Sequence, residues 1–256
     1  MSQRTLQILN TLGFALVITL NTLANALPIN GYNTGELSGR YPNLFVPAGF
    51  TFSIWGIIYL LLLGFVIYQF TRPAAEANVP QRIGPWFFLS CLFNASWILA
   101  WHYLMPGLSL LIMLALLGSL IMIYRRVHAT PALEGKGARW WVALPFSVYL
   151  GWITVATIAN AAAVLVDLGW SGGGIPEPVW AVAMIAVAIG MGLWFAWRQS
   201  DIFYALVVAW ALVGIIARRS SEAAEMAYPA IVVAAAVGIG LLVASTVVKI
   251  LQMKRV

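Results

Sequence analysis

Tyr149-Leu-Gly-Trp152-Ile-Thr154-Val-Ala156-Thr-Ile-Ala-Asn160 lies inside a long apolar run that begins at Trp140. Tyr149, Trp152, Ala156 and Asn160 are spaced i, i+3, i+7 and i+11, so on a helix they share one stripe. Hydrocarbon offers no partner for a phenol, an indole N–H or a carboxamide, so such tips turn toward protein or a wet cavity. Two other apolar runs carry matching stripes at i, i+3 and i+7: Phe52, Trp55 and Tyr59, and Asn94, Trp97 and Trp101. Together the three stripes predict an aromatic-walled pocket for a flat, largely apolar ligand. Plain helix packing is the competing reading of the same rings. Asn94 and Asn160 paired with each other would satisfy both amides without a guest.

Composition excludes most other classes. The chain of 256 residues is 62% hydrophobic and 9% charged, against roughly 25% charged in a soluble domain, and its mean hydropathy is +0.91. A soluble globular protein, a nucleic-acid binder and a disordered chain are all excluded. The basic excess, 14 Lys and Arg against 8 Asp and Glu, is explained by cationic loops on one side of a bilayer. The single cysteine, Cys91, sits in an apolar run and reads as a small core residue.

Crossing a hydrocarbon layer ~30 Å thick takes about 20 residues. Eight runs qualify as candidates: Leu6–Ile29, Thr51–Phe70, Trp86–Leu104, Gly107–Tyr124, Trp140–Val166, Val179–Trp197, Ile202–Ala217 and Pro229–Val248. The predicted fold class is an all-α integral membrane protein. Its predicted divisions are 1–166, a Gly-rich linker at 167–178, and a three-helix extension at 179–256. Pro28, Pro47, Pro106, Pro178 and Pro229 lie near run ends, where proline starts or stops a helix. Arg4, the apolar stretch to Leu20 and Ala24-Asn25-Ala26 also resemble a cleavable secretory signal; an uncleaved span is the preferred reading, with Asn21 and Asn25 on its inward face.

With eight spans, the termini and every second connection share a side. That side holds Arg4, Arg72, Arg82, Arg125, Arg126, Lys136, Arg139, Arg198, Lys249, Lys254 and Arg255; the other holds Arg40, Arg218 and Arg219. The bias places both termini in the cytoplasm, with a bacterial cytoplasmic membrane as the expected location. The 30–50 connection carries glycines, prolines and four aromatic rings, which suit a lid over a pocket mouth or an ordered interfacial loop equally well. The 167–178 connection, with Gly169, Gly172, Gly173 and Gly174, reads as a hinge. Ala188-x-x-x-Gly192 and Ala234-x-x-x-Gly238 allow close helix approach, so the last three spans read as a packing unit or an oligomer surface.

Catalytic signals are weak. His102, near Trp101 at the end of the third run, reads as a capped, solvated side chain, with axial ligation of a haem as the rarer reading. No two acids stand close enough inside a span for acid–base work. No metal site is predicted, and no cofactor is required.

These motifs resemble the TspO/MBR family, tryptophan-rich sensory proteins related to the mitochondrial translocator protein. Its second helix carries prolines followed by Trp-x-x-x-Tyr, here Pro47 and then Trp55-Gly-Ile-Ile-Tyr59. Its third has Asn-x-x-Trp, further aromatics and Pro-Gly, here Asn94-Ala-Ser-Trp97, Trp101 and Pro106-Gly107. Its fifth has Tyr-x-x-Trp-x-Ser-x-Ala-x-x-x-Asn, matched from Tyr149 to Asn160 with Thr154 in place of the serine. The resemblance covers about Leu6 to Val166. This chain departs from the pattern at Val46 and Ala48, which flank Pro47 where the family pairs prolines, and at Val148, where proline is usual. It also lacks the cholesterol-recognition pattern after the fifth helix.

The resemblance implies a five-helix bundle, often a homodimer, whose cavity binds porphyrins and other tetrapyrroles. Three functions stay open: a tetrapyrrole-binding sensor, a transporter of a small amphipathic compound, and a light-dependent porphyrin-degrading enzyme, with Trp55 and Trp152 as the pocket tryptophans. The expected partners are the lipid bilayer and that ligand, with no nucleic acid.

Overall fold

A computed structural model describes residues 1–27, 29–130, 135–221 and 228–253. Pro28, Lys254, Arg255 and the interior of the 218–228 connection, which figured in the reading of span ends, charges and loops, lie outside the described residues. The helices are α1 (Gln3–Ala26), α2 (Thr34–Gly39), α3 (Ile54–Tyr68), α4 (Arg72–Glu76), α5 (Val79–Ile83), α6 (Trp86–His102), α7 (Pro106–His128), α8 (Lys136–Ala138), α9 (Leu144–Asp167), α10 (Glu177–Arg198), α11 (Ile202–Ser220) and α12 (Pro229–Met253). No strand occurs among the described residues.

Among the described residues, seven helical segments are long and apolar enough to cross a membrane, so the chain is an all-α, multi-pass membrane protein. The count of eight is matched only approximately. The remaining candidate, α6, has 17 residues, a rise of about 26 Å and the short end of the spanning range.

The chain divides into two compact units: Met1–Leu37 with Ser53–Ile153, and Ser38–Phe52 with Thr154–Val256. The division falls inside α9.

In the first unit α1, α6 and α7 lie side by side, with α3 against α1. Phe65, Phe87 and Phe146 meet edge-on, with centroids 4.9 to 5.6 Å apart, an arrangement that suits the ring quadrupole. Amides clamp α1 to the end of α3. Asn10 Nδ2 donates to Gln69 Oε1 at 3.0 Å, and Gln7 Nε2 donates to the Gln69 carbonyl at 2.7 Å. Asn10 and Gln69 are fully buried, so each bond answers a desolvation cost of about 1–3 kcal/mol.

The ends of α6 stand at opposite ends of this unit. Trp86 lies under the Arg126 guanidinium, which also reaches the Ile83 carbonyl. His102 meets Ile29 and Thr34 at the far end. A Schellman turn links α6 to α7: Met105 N donates to Ala100 O and Leu104 N to Trp101 O. Its left-handed position, usually glycine, is Leu104 at φ 56. A widened turn at Arg139–Ala143 precedes Pro145, which has no N–H to offer the carbonyl four residues back.

In the second unit α10, α11 and α12 pack on one another. The Asp201 side chain caps α11, accepting from the N–H groups of Phe203 and Tyr204. A β-carbon on Gly192 would meet Leu242 and Val208, and one on Gly238 would meet Ile189 and Leu212. The small residues therefore serve packing within this unit.

Segment 38–52 belongs to the same unit and is firmly held. Leu44, Phe45 and Val46 are buried. Ala48 N donates to Gly214 O at 2.9 Å, and Trp210 Nε1 donates to Thr51 O at 3.0 Å. Of the two readings of this loop, the ordered one fits these contacts.

Candidate functional site

Trp55 is the hub of an aromatic cluster in the first unit. It stacks on Tyr59 at 5.5 Å and on Trp97 at 6.0 Å. It meets Tyr149 edge-on at 6.0 Å and Trp152 at 6.3 Å. Trp97 stacks in turn on Trp101, 6.2 Å away at 16°. Three helices each contribute one face, as the i, i+3, i+7 spacing requires. Trp97, Trp101, Tyr149 and Trp152 are buried; Trp55 and Tyr59 are half-buried. The rings are in contact with one another.

Asn94 sits behind the rings, fully buried. Its Nδ2 donates to the Tyr149 hydroxyl at 2.8 Å, and its Oδ1 accepts from Asn21 Nδ2 at 2.9 Å. Asn21 Nδ2 also donates to Val17 O. Asn94 thus spends both amide atoms on α1 and α9, and its partners are Asn21 and Tyr149, where the sequence offered Asn160. Trp97 Nε1 is buried without a hydrogen-bond partner.

Trp55, Tyr59, Asn94, Trp97, Trp101, Tyr149 and Trp152 are therefore brought together. Phe52, Ala156 and Asn160 belong to the second unit. Asn21 is the contributor that the stripes did not name, although its inward face was foreseen.

His102 corrects the sequence reading: it is fully buried, not solvated. Its Nδ1 lies 3.1 Å from the Ile29 carbonyl and its Nε2 lies 3.2 Å from the Thr34 hydroxyl. A carbonyl only accepts, so Nδ1 carries the proton and Nε2 takes the threonine's hydrogen. Both nitrogens tie the chain around residues 29–34 to the end of α6, and neither is left for a metal. Asn30 Nδ2 adds a bond to the His102 carbonyl.

The second unit holds a cavity of about 570 Å³ at the end of α9, lined by residues of segment 38–52, the 167–178 connection and α10. The glycine-rich connection is fixed there. Gly169, at φ 67, closes α9 with bonds from Gly169 N to Val166 O and Trp170 N to Leu165 O. Trp180 Nε1 donates to Gly172 O at 3.0 Å, and Trp170 meets Trp180 edge-on at 5.2 Å. Beside the cavity, burial and then the Asp167 carboxylate raise the Tyr41 phenol above its ordinary pKa, against a lowering by Arg40, so it stays neutral at physiological pH.

Long apolar helices, with a buried cluster of rings and amides joining those of the first unit, define a multi-pass membrane protein. The family model described as "TSPO-like protein" matches residues 7–248, and the chain belongs to that family. The match runs through α10, α11 and most of α12, well beyond Val166, where the motif resemblance ended. Neither the curated proteins nor the solved structures compared with the chain match it.

Proposed function

We propose that the protein binds a flat, largely apolar ligand, a porphyrin or other tetrapyrrole, at the aromatic cluster of the first unit, and acts as a membrane-embedded sensor of it. The observation that supports this reading is the position of Trp55, half-buried and in ring contact with Tyr59, Trp97, Tyr149 and Trp152. It is the ring that a guest displaces, exchanging ring–ring for ring–guest stacking at little cost. The buried Trp97 N–H is a donor such a guest can satisfy.

Titration of the purified protein with protoporphyrin tests this. Tryptophan emission falls on binding, and Trp55→Ala with Trp152→Ala abolishes the saturable part. Quenching that survives both substitutions removes the cluster from consideration. Light-driven loss of the porphyrin band would favour degradation, and accumulation of unchanged ligand in proteoliposomes would favour transport. We also infer from the Lys and Arg bias that both termini face the cytoplasm; reporter fusions at either end check that orientation.

A further inference from the structure

The cavity of about 570 Å³ in the second unit lies within the size range of small-molecule sites, ~300–1,000 Å³. Two small residues leave it open. Ala162 on α9 and Ala181 on α10 line it, and both are buried; a longer side chain at either place would fill the space. Leu165, Val166, Ile175 and Met184 add aliphatic wall.

Its rim is fixed. Gly169, Gly172, Gly173 and Gly174 all take left-handed φ, from 60 to 82, which glycine holds without strain. Trp180 Nε1 and Ile175 N both donate to Gly172 O. Asn43 donates to Tyr41 O and accepts from Phe45 N.

The place of the chamber and the chemistry of its walls set what can enter. It lies where one membrane-length segment, Arg139–Asp167, ends and another, Glu177–Arg198, begins. Ala162 stands five residues inside the first and Met184 seven inside the second, about 8 and 10 Å along the helices. The chamber therefore reaches from the connection to hydrocarbon depth. Glu177, the one ionic side chain of its described lining, is exposed at the start of α10. The two indoles meet each other edge-on, and Trp180 has spent its N–H. What remains is aliphatic, with Met184 able to adapt to an irregular guest. Such walls suit a flexible hydrocarbon chain. A chain arriving from lipid gains little by desolvation; it gains dispersion contacts in a space that the alanines leave unfilled.

We propose that this chamber is a further binding site, sharing no residue with the aromatic cluster, for an unbranched alkyl chain. A free single-chain amphiphile or one chain of a bilayer diacyl lipid can supply it.

Photolabelling of the full chain in lipid nanodiscs tests this in two arms. In one, dodecanol carrying a diazirine in its chain is added to unlabelled nanodiscs. In the other, the nanodisc phosphatidylcholine carries the diazirine on one acyl chain. Adducts are expected at Ala162, Ala181 or Met184, saturable in the first arm and displaced by excess unlabelled dodecanol. Ala162 and Ala181 are buried, so adducts there report entry and not contact with bulk lipid. Adducts in the first arm alone assign a free single-chain guest; adducts in the second assign a chain of the bilayer. Leu165→Trp at the half-open rim and Ala181→Leu in the wall each lower the yield roughly tenfold by filling the space. Unchanged thermal unfolding establishes that each variant is folded, and where Ala181→Leu fails this check Leu165→Trp carries the decision. Pyrene, flat and rigid, leaves the adducts in place. No adduct at these positions in either arm, full yield in Leu165→Trp, or displacement by pyrene equal to that by dodecanol overturns the proposal.

Discussion

The indole of Trp141 lies against the backbone of Gly64: a β-carbon on that glycine would stand 2.5 Å from Cζ3 of the ring. The widened turn before Pro145 carries this ring, and glycine is the residue of α3 that admits it. Two terms oppose each other in Gly64→Ala. Helix propensity favours alanine by about 1 kcal/mol, while overpacking costs about 1–3 kcal/mol. The ring contact dominates, so Gly64→Ala destabilises the first unit. In a Trp141→Ala background the same change becomes stabilising by about 1 kcal/mol. Reversible unfolding in mixed micelles reads both; equal effects in the two backgrounds would refute the contact.

Asn94 and Tyr149 test the amide network. Removing either leaves a buried partner unsatisfied, so each single substitution, Asn94→Leu or Tyr149→Phe, costs about 1–3 kcal/mol. Hydrogen bonds between membrane helices couple by about 0.6 kcal/mol on average and up to about 1.7. A double-mutant cycle is expected in the upper half of that range, because both groups are buried. Strict additivity would show that the 2.8 Å bond does no energetic work.

Leu104 sits at φ 56 in the turn between α6 and α7. A left-handed backbone costs a branched residue about 1–2 kcal/mol, and glycine avoids most of this. Leu104→Gly is therefore expected to stabilise the protein by about 1 kcal/mol, seen as a higher unfolding midpoint. A loss of stability would mean that the leucine side chain contributes more than its backbone costs.

Gly214 faces Thr51 and Pro47, with the Pro47 β-carbon 2.9 Å from where its own would be. Gly214→Ala pushes segment 38–52 off α11 and breaks the Ala48–Gly214 and Trp210–Thr51 bonds. Limited proteolysis is expected to cut within residues 38–52 faster in this variant, while Thr51→Ala combined with it recovers part of the protection. An unchanged cleavage pattern would contradict the close approach.

The spans were legible because apolar length is a one-dimensional property. Runs at 86–104 and 202–217 became helices at 86–102 and 202–220. The convergence of Trp55, Trp97 and Trp152 was legible because desolvation gives buried rings and amides a preferred direction. Other features depend on neighbours that no spacing reveals. His102 looked solvated because it ends an apolar run, but its partners lie at residues 29–34. The cavity at the end of α9 is walled by segment 38–52, the 167–178 connection and α10, stretches far apart in sequence and each ordinary by itself.

The amide chain behind the rings has a sense. Val17 O can only receive a hydrogen, which fixes which way the Asn21 carboxamide is turned; Asn94 must then present oxygen to α1 and nitrogen to α9. Tyr149, the last link, takes a hydrogen and keeps its own to give. The network thus ends in a hydroxyl donor on α9, and its sense is set from the Val17 carbonyl onward.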